Sequence, residues 1–378
     1  MKFSSTVVDE VDPLQPLTEA SRANETGDNP ARTNYLFVSN VRFLAMIAIV
    51  GVHTLPVWGS APPPASYLQV ILVQMMKFGT IGFFLISGYL VGEGLTRGNP
   101  TSYFYRRLRS ILLPWCVWSL VWFVIAYWGW RAAGDPNLQG AALHELVRQY
   151  LTFVSVRSIY WFVPNFFVCL ALVLWMYKRV PDHVQGPLFL AFSLFYGLNI
   201  YLKLVPVRHT SALLGYVFYQ WLGLLTYKHR HTWSAWLERI SWVHLAIFAA
   251  AAASTSLCEM HLLRKLEFDE FNTLRISNQI FSLAMTLLIA KSRRTLFPRW
   301  LNVRSETFGI YLIHPILVQT FQTVFPRIPI AVRSEVGSNG TILILLSLIT
   351  FVATYLLSLM LTKLIRRIPA LAWAVGQR

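Results

Sequence analysis

Charge is scarce in this sequence. Asp, Glu, Lys and Arg make up 13% of its 378 residues, whereas a soluble domain carries about 25%. That shortfall excludes an ordinary water-facing surface over most of the chain. Cysteine is scarce too: Cys116, Cys169 and Cys258 each sit in an apolar stretch and form no CxxC pair. An odd, scattered set excludes a disulfide framework and a zinc site, and the three read as small buried hydrophobes. No Walker loop and no GxGxxG appears, and His144-Glu145 lacks the second histidine of HExxH. Ser87 lacks the flanking glycines of a GxSxG nucleophile, so Ser87-Gly88 reads first as a small-residue helix contact. Acidic residues number 17 against 33 basic ones, a net charge of +16. In a soluble protein that excess would raise nucleic-acid binding. Here the cations fall between apolar stretches, so no nucleic-acid partner is expected.

What the sequence has is apolar length. Hydrophobic residues make up 55% and aromatics 15%, with 14 Trp, and the mean hydropathy is +0.48. Stretches long enough to cross a bilayer recur near 36–57, 68–92, 111–130, 159–177, 187–204, 211–227, 241–258, 276–290, 307–325 and 341–362. They are continuously apolar rather than alternating, which argues against a β-barrel. The expected fold is therefore all-α, a polytopic membrane bundle of about ten helices. Residues 1–34 are polar, with six acidic residues and no signal-peptide pattern, and read as a disordered cytoplasmic tail. The membrane domain spans 35–365, and 366–378 read as a short basic tail. With the N-terminus placed inside, 21 of the 33 basic residues fall in inner segments and 10 in outer loops. Arg42 and Lys77 fall within spans. This asymmetry predicts that both termini are cytoplasmic.

Charged groups inside a span cost roughly 2.5–3.5 kcal/mol each on insertion scales, so each needs a reason. Arg42 and His53 lie eleven residues apart on the first span. At about 100° per residue that is three turns plus about 20°, so both share one face with Met46 and Ile49, about 16 Å apart along the axis. Taken alone, they also fit a snorkelling arginine and a histidine that caps the outer end. In the span near 307–325, Tyr311 and His314 adjoin at i, i+3, and Pro315 removes a backbone hydrogen bond. A buried, hydrogen-bonded histidine is the plainer account of His314. Arg106, Arg107 and Arg109 follow the second span, where they either anchor the inner membrane face or bind phosphates. Tyr160-Trp-Phe-Val-Pro-Asn165 reads as an interfacial aromatic belt.

Together these pieces resemble the acyltransferase-3 family of membrane proteins over roughly residues 35–362. The likeness rests on Arg42-x10-His53, "GFFLISGYLVG" (82–92), Arg106-x-x-Arg109, "YWFVPNFF" (160–167) and "FGIYLIHPIL" (308–317), in that order. It implies a multi-pass enzyme of the bacterial inner membrane. Such an enzyme moves an acetyl, succinyl or similar group from cytoplasmic acyl-CoA, its co-substrate, to hydroxyls of a surface or periplasmic glycan or lipid-linked glycan. No tightly bound cofactor or metal is implied. The family ties activity to the first-span Arg and His, which here are Arg42 and His53. Neutral imidazole suits His53 to act as general base. Arg42, with Arg106 and Arg109, is better placed to bind the phosphates of CoA. Ser87, Trp161, Asn165, Tyr311 and His314 are candidate pocket residues. Two other readings stay open. A non-catalytic transporter or exporter of a glycan or lipid-linked intermediate explains the spans but not the ordered motifs; a different membrane acyltransferase fold with its own intramembrane histidine is the other.

Overall fold

The computed structural model describes residues 30–57, 65–96, 98–132, 143–324 and 339–376, except for the side chains of 30–35, 65, 66, 132 and 324. Residues 1–29 of the expected tail lie outside the described residues. Among the described residues every regular element is helical. In chain order they are α1 (Pro30–Thr54), α2 (Ala65–Met76), α3 (Phe78–Thr96), α4 (Pro100–Ala132), α5 (Leu143–Thr152), α6 (Phe162–Met176) and α7 (Asp182–Leu202). Then come α8 (Val217–Lys228), α9 (Arg230–Arg239), α10 (Trp242–Lys265), α11 (Ile276–Ala290), α12 (Val303–Val324) and α13 (Gly340–Arg367). Single 3-10 turns at Ile159–Trp161, His209–Ser211 and Ala372–Val375 join or close them.

The all-helical expectation holds, whereas the count of spans is coarser than expected. Among the described residues six stretches are long and apolar enough to cross a membrane: Leu36–Thr54, Tyr67–Thr96, Pro100–Arg131, Ile159–Met176, Trp242–Lys265 and Gly340–Arg367. The 12 residues of α8 and 15 of α11 reach only about 18 and 22 Å at 1.5 Å per residue, short of a ~30 Å hydrocarbon core. Both are packed inside the bundle, where a helix need not match the lipid thickness. The sequence also hides a break. The apolar run expected as one span over 68–92 divides at Lys77, whose amide bonds to the Gln74 carbonyl at 3.1 Å in a tight turn between α2 and α3.

Apolar surface is distributed as lipid requires. On α4, Leu113, Leu120, Val124 and Trp128 are exposed, as are Val243, Ile247 and Phe248 on α10 and Leu345, Ile349, Val352 and Leu356 on α13. In water such a surface would aggregate; in a bilayer it meets its own solvent. Cys169 is buried as expected, but Cys116 and Cys258 are exposed on α4 and α10, since a lipid-facing position suits a small hydrophobe equally well. By contrast α1 and α3 are interior. The tightest helix pair is α3 with α8, and two glycines allow it. A Cβ on Gly88 would lie 1.8 Å from the Gln220 carbonyl oxygen, and one on Gly223 would lie 1.9 Å from that of Leu85. The expected small-residue contact at Ser87-Gly88 is therefore real, with Gly88 as its working member.

Polar side chains close the ends. Asn339 caps α13 by accepting from the amides of Thr341 and Ile342 at 3.1 and 3.2 Å, and Arg366 and Arg367 stand at its negative end. Glu306 is buried, receives Arg366 at 3.2 Å and the Asn302 amide at 2.9 Å, and so ties α12 to α13. The segment after α13 is folded: Trp118 donates to the Ala374 carbonyl at 2.8 Å, and Ala374 and Val375 are buried.

Candidate active site

Two adjoining spaces open between α1, α3, α4, α6 and α12. The larger holds about 850 Å³, within the ~300–1,000 Å³ of small-molecule and cofactor pockets. Arg42, Met46 and Ile49 face it from α1, and Ile86, Ser87, Leu90 and Glu93 from α3. From α4 come Tyr103, Arg106, Arg107, Ser110 and Ile111, spaced as one helical stripe. Phe162 and Phe166 of α6 and Arg304, Thr307, Phe308 and Tyr311 of α12 complete it. Four arginines thus line the chamber against one carboxylate, Glu93. Arg107 and Arg304 are the charged neighbours of Arg42, and among the described residues no hydrogen bond or ion pair holds the Arg42 guanidinium. Like charges converging on an internal space are favourable only if an anion completes them. The Arg107 guanidinium is held in place, because its Nε donates to the Tyr103 hydroxyl at 3.0 Å and the group lies over the Tyr103 ring.

The smaller space holds about 40 Å³ and is lined by Val52, His53, Met76, Lys77, Thr80, Trp161, His209 and Thr273. Ile49, Phe162 and Tyr311 line both spaces, so one narrow band of side chains, the neck, separates them. The titratable neighbours of His53 are His314, Lys77 and His209, and among the described residues no carboxylate lines this chamber. The His314 ring stands 5.8 Å from that of His53, centroid to centroid. His314 is fully buried, with Nδ1 3.1 Å from the Ile310 carbonyl oxygen and Nε2 without a hydrogen-bond partner. A carbonyl only accepts, so the proton sits on Nδ1 and Nε2 keeps its lone pair. His314 lines neither chamber.

Of the residues singled out from the sequence, Arg42, Ser87, Arg106 and Tyr311 meet in the large chamber, and His53 and Trp161 in the small one, with Tyr311 shared. Arg109 does not join them: it is exposed and lines neither space, and Arg107 stands where it was expected. The arginines lie on the first turns of α4 itself rather than in a connecting loop. Asn165 lines neither chamber. It donates to the Thr210 carbonyl at 3.0 Å and so fixes the turn that carries His209. Trp161 packs against the His209 ring at 5.4 Å. The aromatic block at 160–165 therefore organises a site wall, not merely a membrane interface. Tyr160 extends it, donating to the Leu312 carbonyl at 2.6 Å and accepting Trp115 on its own carbonyl at 3.0 Å.

His209 was not legible, because it sits in a polar connecting segment with no periodicity. Burial first, and the nearby Lys77 second, push its imidazole down to about 3, so it is neutral at physiological pH. Arg275, one of the ten basic residues expected in outer loops, is a second residue that no sequence signal picks out. It is fully buried, donating to the carbonyls of Asn272 at 3.2 Å and Ser256 at 2.9 Å and to the Gln74 side chain. Gln74 donates on to Asn278 at 3.0 Å, and Asn278 to the Thr273 carbonyl at 2.8 Å, so this network fixes the Thr273 wall of the small chamber. Among the described residues no His, Cys, Asp and Glu are grouped to hold a metal ion.

Apolar helices wrapped around an arginine-lined chamber, with a histidine chamber adjoining it, define a multi-pass membrane protein with an internal cavity. The chain belongs to the acyltransferase-3 family: the family described as an acyltransferase domain matches residues 35–363. It is thus a membrane acyltransferase in general type. Neither the curated proteins nor the solved structures contain a match.

Proposed function

We propose that this chain is an O-acyltransferase of the bacterial inner membrane. It takes an acetyl, succinyl or similar group from cytoplasmic acyl-CoA and places it on a hydroxyl of a surface or periplasmic glycan, free or lipid-linked. The observation that carries this reading is the neck: Ile49, Phe162 and Tyr311 line both the arginine chamber and the His53 chamber. The distance along α1 from Arg42 to His53 is about 16 Å by helical rise. A ligand with phosphates at one end and a thioester on an extended arm fits that separation.

In this reading Arg42, Arg106, Arg107 and Arg304 hold the CoA phosphates, where a planar fork matches phosphate oxygens. The arm passes the neck and sets the thioester carbonyl beside His53. The imidazole takes the proton of the acceptor hydroxyl as its oxygen bonds to the carbonyl carbon. The tetrahedral oxyanion forms next to Lys77, the cation in the same wall. The carbon–sulfur bond then breaks, the acyl ester departs, and the CoA thiolate recovers the proton from His53. Replacing Arg106 and Arg107 together with Gln should raise KM for acyl-CoA by about tenfold or more and flatten its dependence on salt. Unchanged acyl-CoA kinetics with poorer membrane insertion would assign these arginines to anchoring alone.

The orientation belongs to the same proposal, with both termini and the Arg106–Arg107 face cytoplasmic. Ten crossings follow if α2 with α3 counts as one and α7, α8, α11 and α12 complete theirs inside the bundle. In a background with Cys116, Cys169 and Cys258 replaced, an impermeant thiol reagent added outside should label His144→Cys and miss Ser102→Cys. The reverse pattern would invert the donor's route.

A further inference from the structure

The acyl group that reaches His53 must fit the space beyond the neck, and that space is unusually small. It holds about 40 Å³, and one water needs about 10–15 Å³ by the same measure, so the space takes about three water-sized groups. An acetyl group, a methyl on a carbonyl, is of that size. A butyryl group, or a succinyl group with its terminal carboxylate, exceeds it.

One side of the small chamber is set by a contact between two helices. Met76 ends α2 and lines the chamber, and its thioether lies against Gly51 of α1. A Cβ added to Gly51 would fall 2.0 Å from the Met76 sulfur and 3.1 Å from its Cε. The absence of a side chain at 51 is thus what lets Met76 lie back from the cavity. Methionine is unbranched and flexible, so crowding moves it rather than unfolding its surroundings. The chamber that Met76 lines is empty space beside it.

From this geometry, and resting on the O-acyltransferase reading, we infer that the Gly51–Met76 contact sets acyl length and restricts this enzyme to acetyl-sized donors. The two residues act by shape, as specificity determinants, and take no part in proton transfer. Truncating Met76 removes the side chain beyond Cβ and opens room for a longer chain. Lys77, in the same wall, would then meet a succinyl carboxylate. Filling position 51 has the opposite effect, because it drives Met76 inward.

The test measures CoA thiol release from acetyl-, butyryl- and succinyl-CoA by purified protein, with binding of free CoA as the control for an intact donor chamber. Wild type should prefer acetyl-CoA to the longer donors by about tenfold or more, in line with what one or two extra methylenes cost a tight pocket. Met76→Ala should raise the butyryl-to-acetyl and succinyl-to-acetyl ratios by about tenfold, at unchanged affinity for free CoA. Gly51→Ala should slow acetyl transfer, again without weakening free CoA. Wild-type turnover of butyryl- or succinyl-CoA at the acetyl rate overturns the inference while leaving the acyltransferase reading intact. So does a Met76→Ala protein that binds CoA normally with unaltered ratios. Release from none of the three donors overturns both.

Discussion

Replacing His53 with Gln should abolish nearly all acyl transfer while leaving the donor bound. The substitution keeps a polar side chain in the small chamber but removes the group that can take a hydroxyl proton, an effect of about 10²–10⁴-fold on rate. Lys77 and His209 share the wall but do not replace it. A Lys ammonium carries no lone pair, and His209 is held in a separate turn fixed by Asn165. Because His53 lies beyond the neck from the four arginines, affinity for free CoA should change by less than about twofold. The distinguishing measurement is kcat against the dissociation constant for CoA. A loss confined to binding would move His53 out of catalysis and back to the end-capping role of an intramembrane histidine.

Arg42→Lys should fail in the opposite way. The charge is kept, yet the planar fork is lost, and the shorter ammonium hydrates more strongly. Arg42 faces Arg107 and Arg304 with no protein partner for its guanidinium among the described residues, so its favourable contacts arrive with the ligand. A charge-assisted hydrogen bond contributes about 1.5–3 kcal/mol, so KM for acyl-CoA should rise by about 10–150-fold. Turnover at saturation should fall far less. If KM held and kcat fell instead, Arg42 would have to act on the reacting carbonyl, which the separation along α1 does not allow.

The shared face of Arg42, Met46, Ile49 and His53 could be read from spacing alone, because helical periodicity is a local property and α1 is an unbroken helix. The small-residue contact at Gly88 was legible for the same reason. Which of three neighbouring arginines turns inward was not. Arg106, Arg107 and Arg109 are alike in composition, and only the stripe with Tyr103 and Ser110, set by the helices that α4 packs against, selects Arg107 over Arg109. The break at Lys77 was not legible either, because Gly79, two residues on, also fits a helix interior packed against Ala45. His209 enters the site through Asn165 and Trp161, forty-odd residues away in sequence, and Arg275 is buried by partners from α2 and α10. Such placements are tertiary, and no local pattern encodes them.

The account depends most on the claim that a thioester is consumed at His53, since a transporter would explain the spans and the internal arginines equally well. The direct measurement is the appearance of free CoA thiol when purified, detergent-solubilised protein meets acetyl-CoA and an acceptor glycan fraction. The account predicts steady thiol release, matched by acyl ester on the glycan and reduced at least a hundredfold in His53→Gln. Glycan binding or movement with no thiol release above the protein-free rate would contradict it.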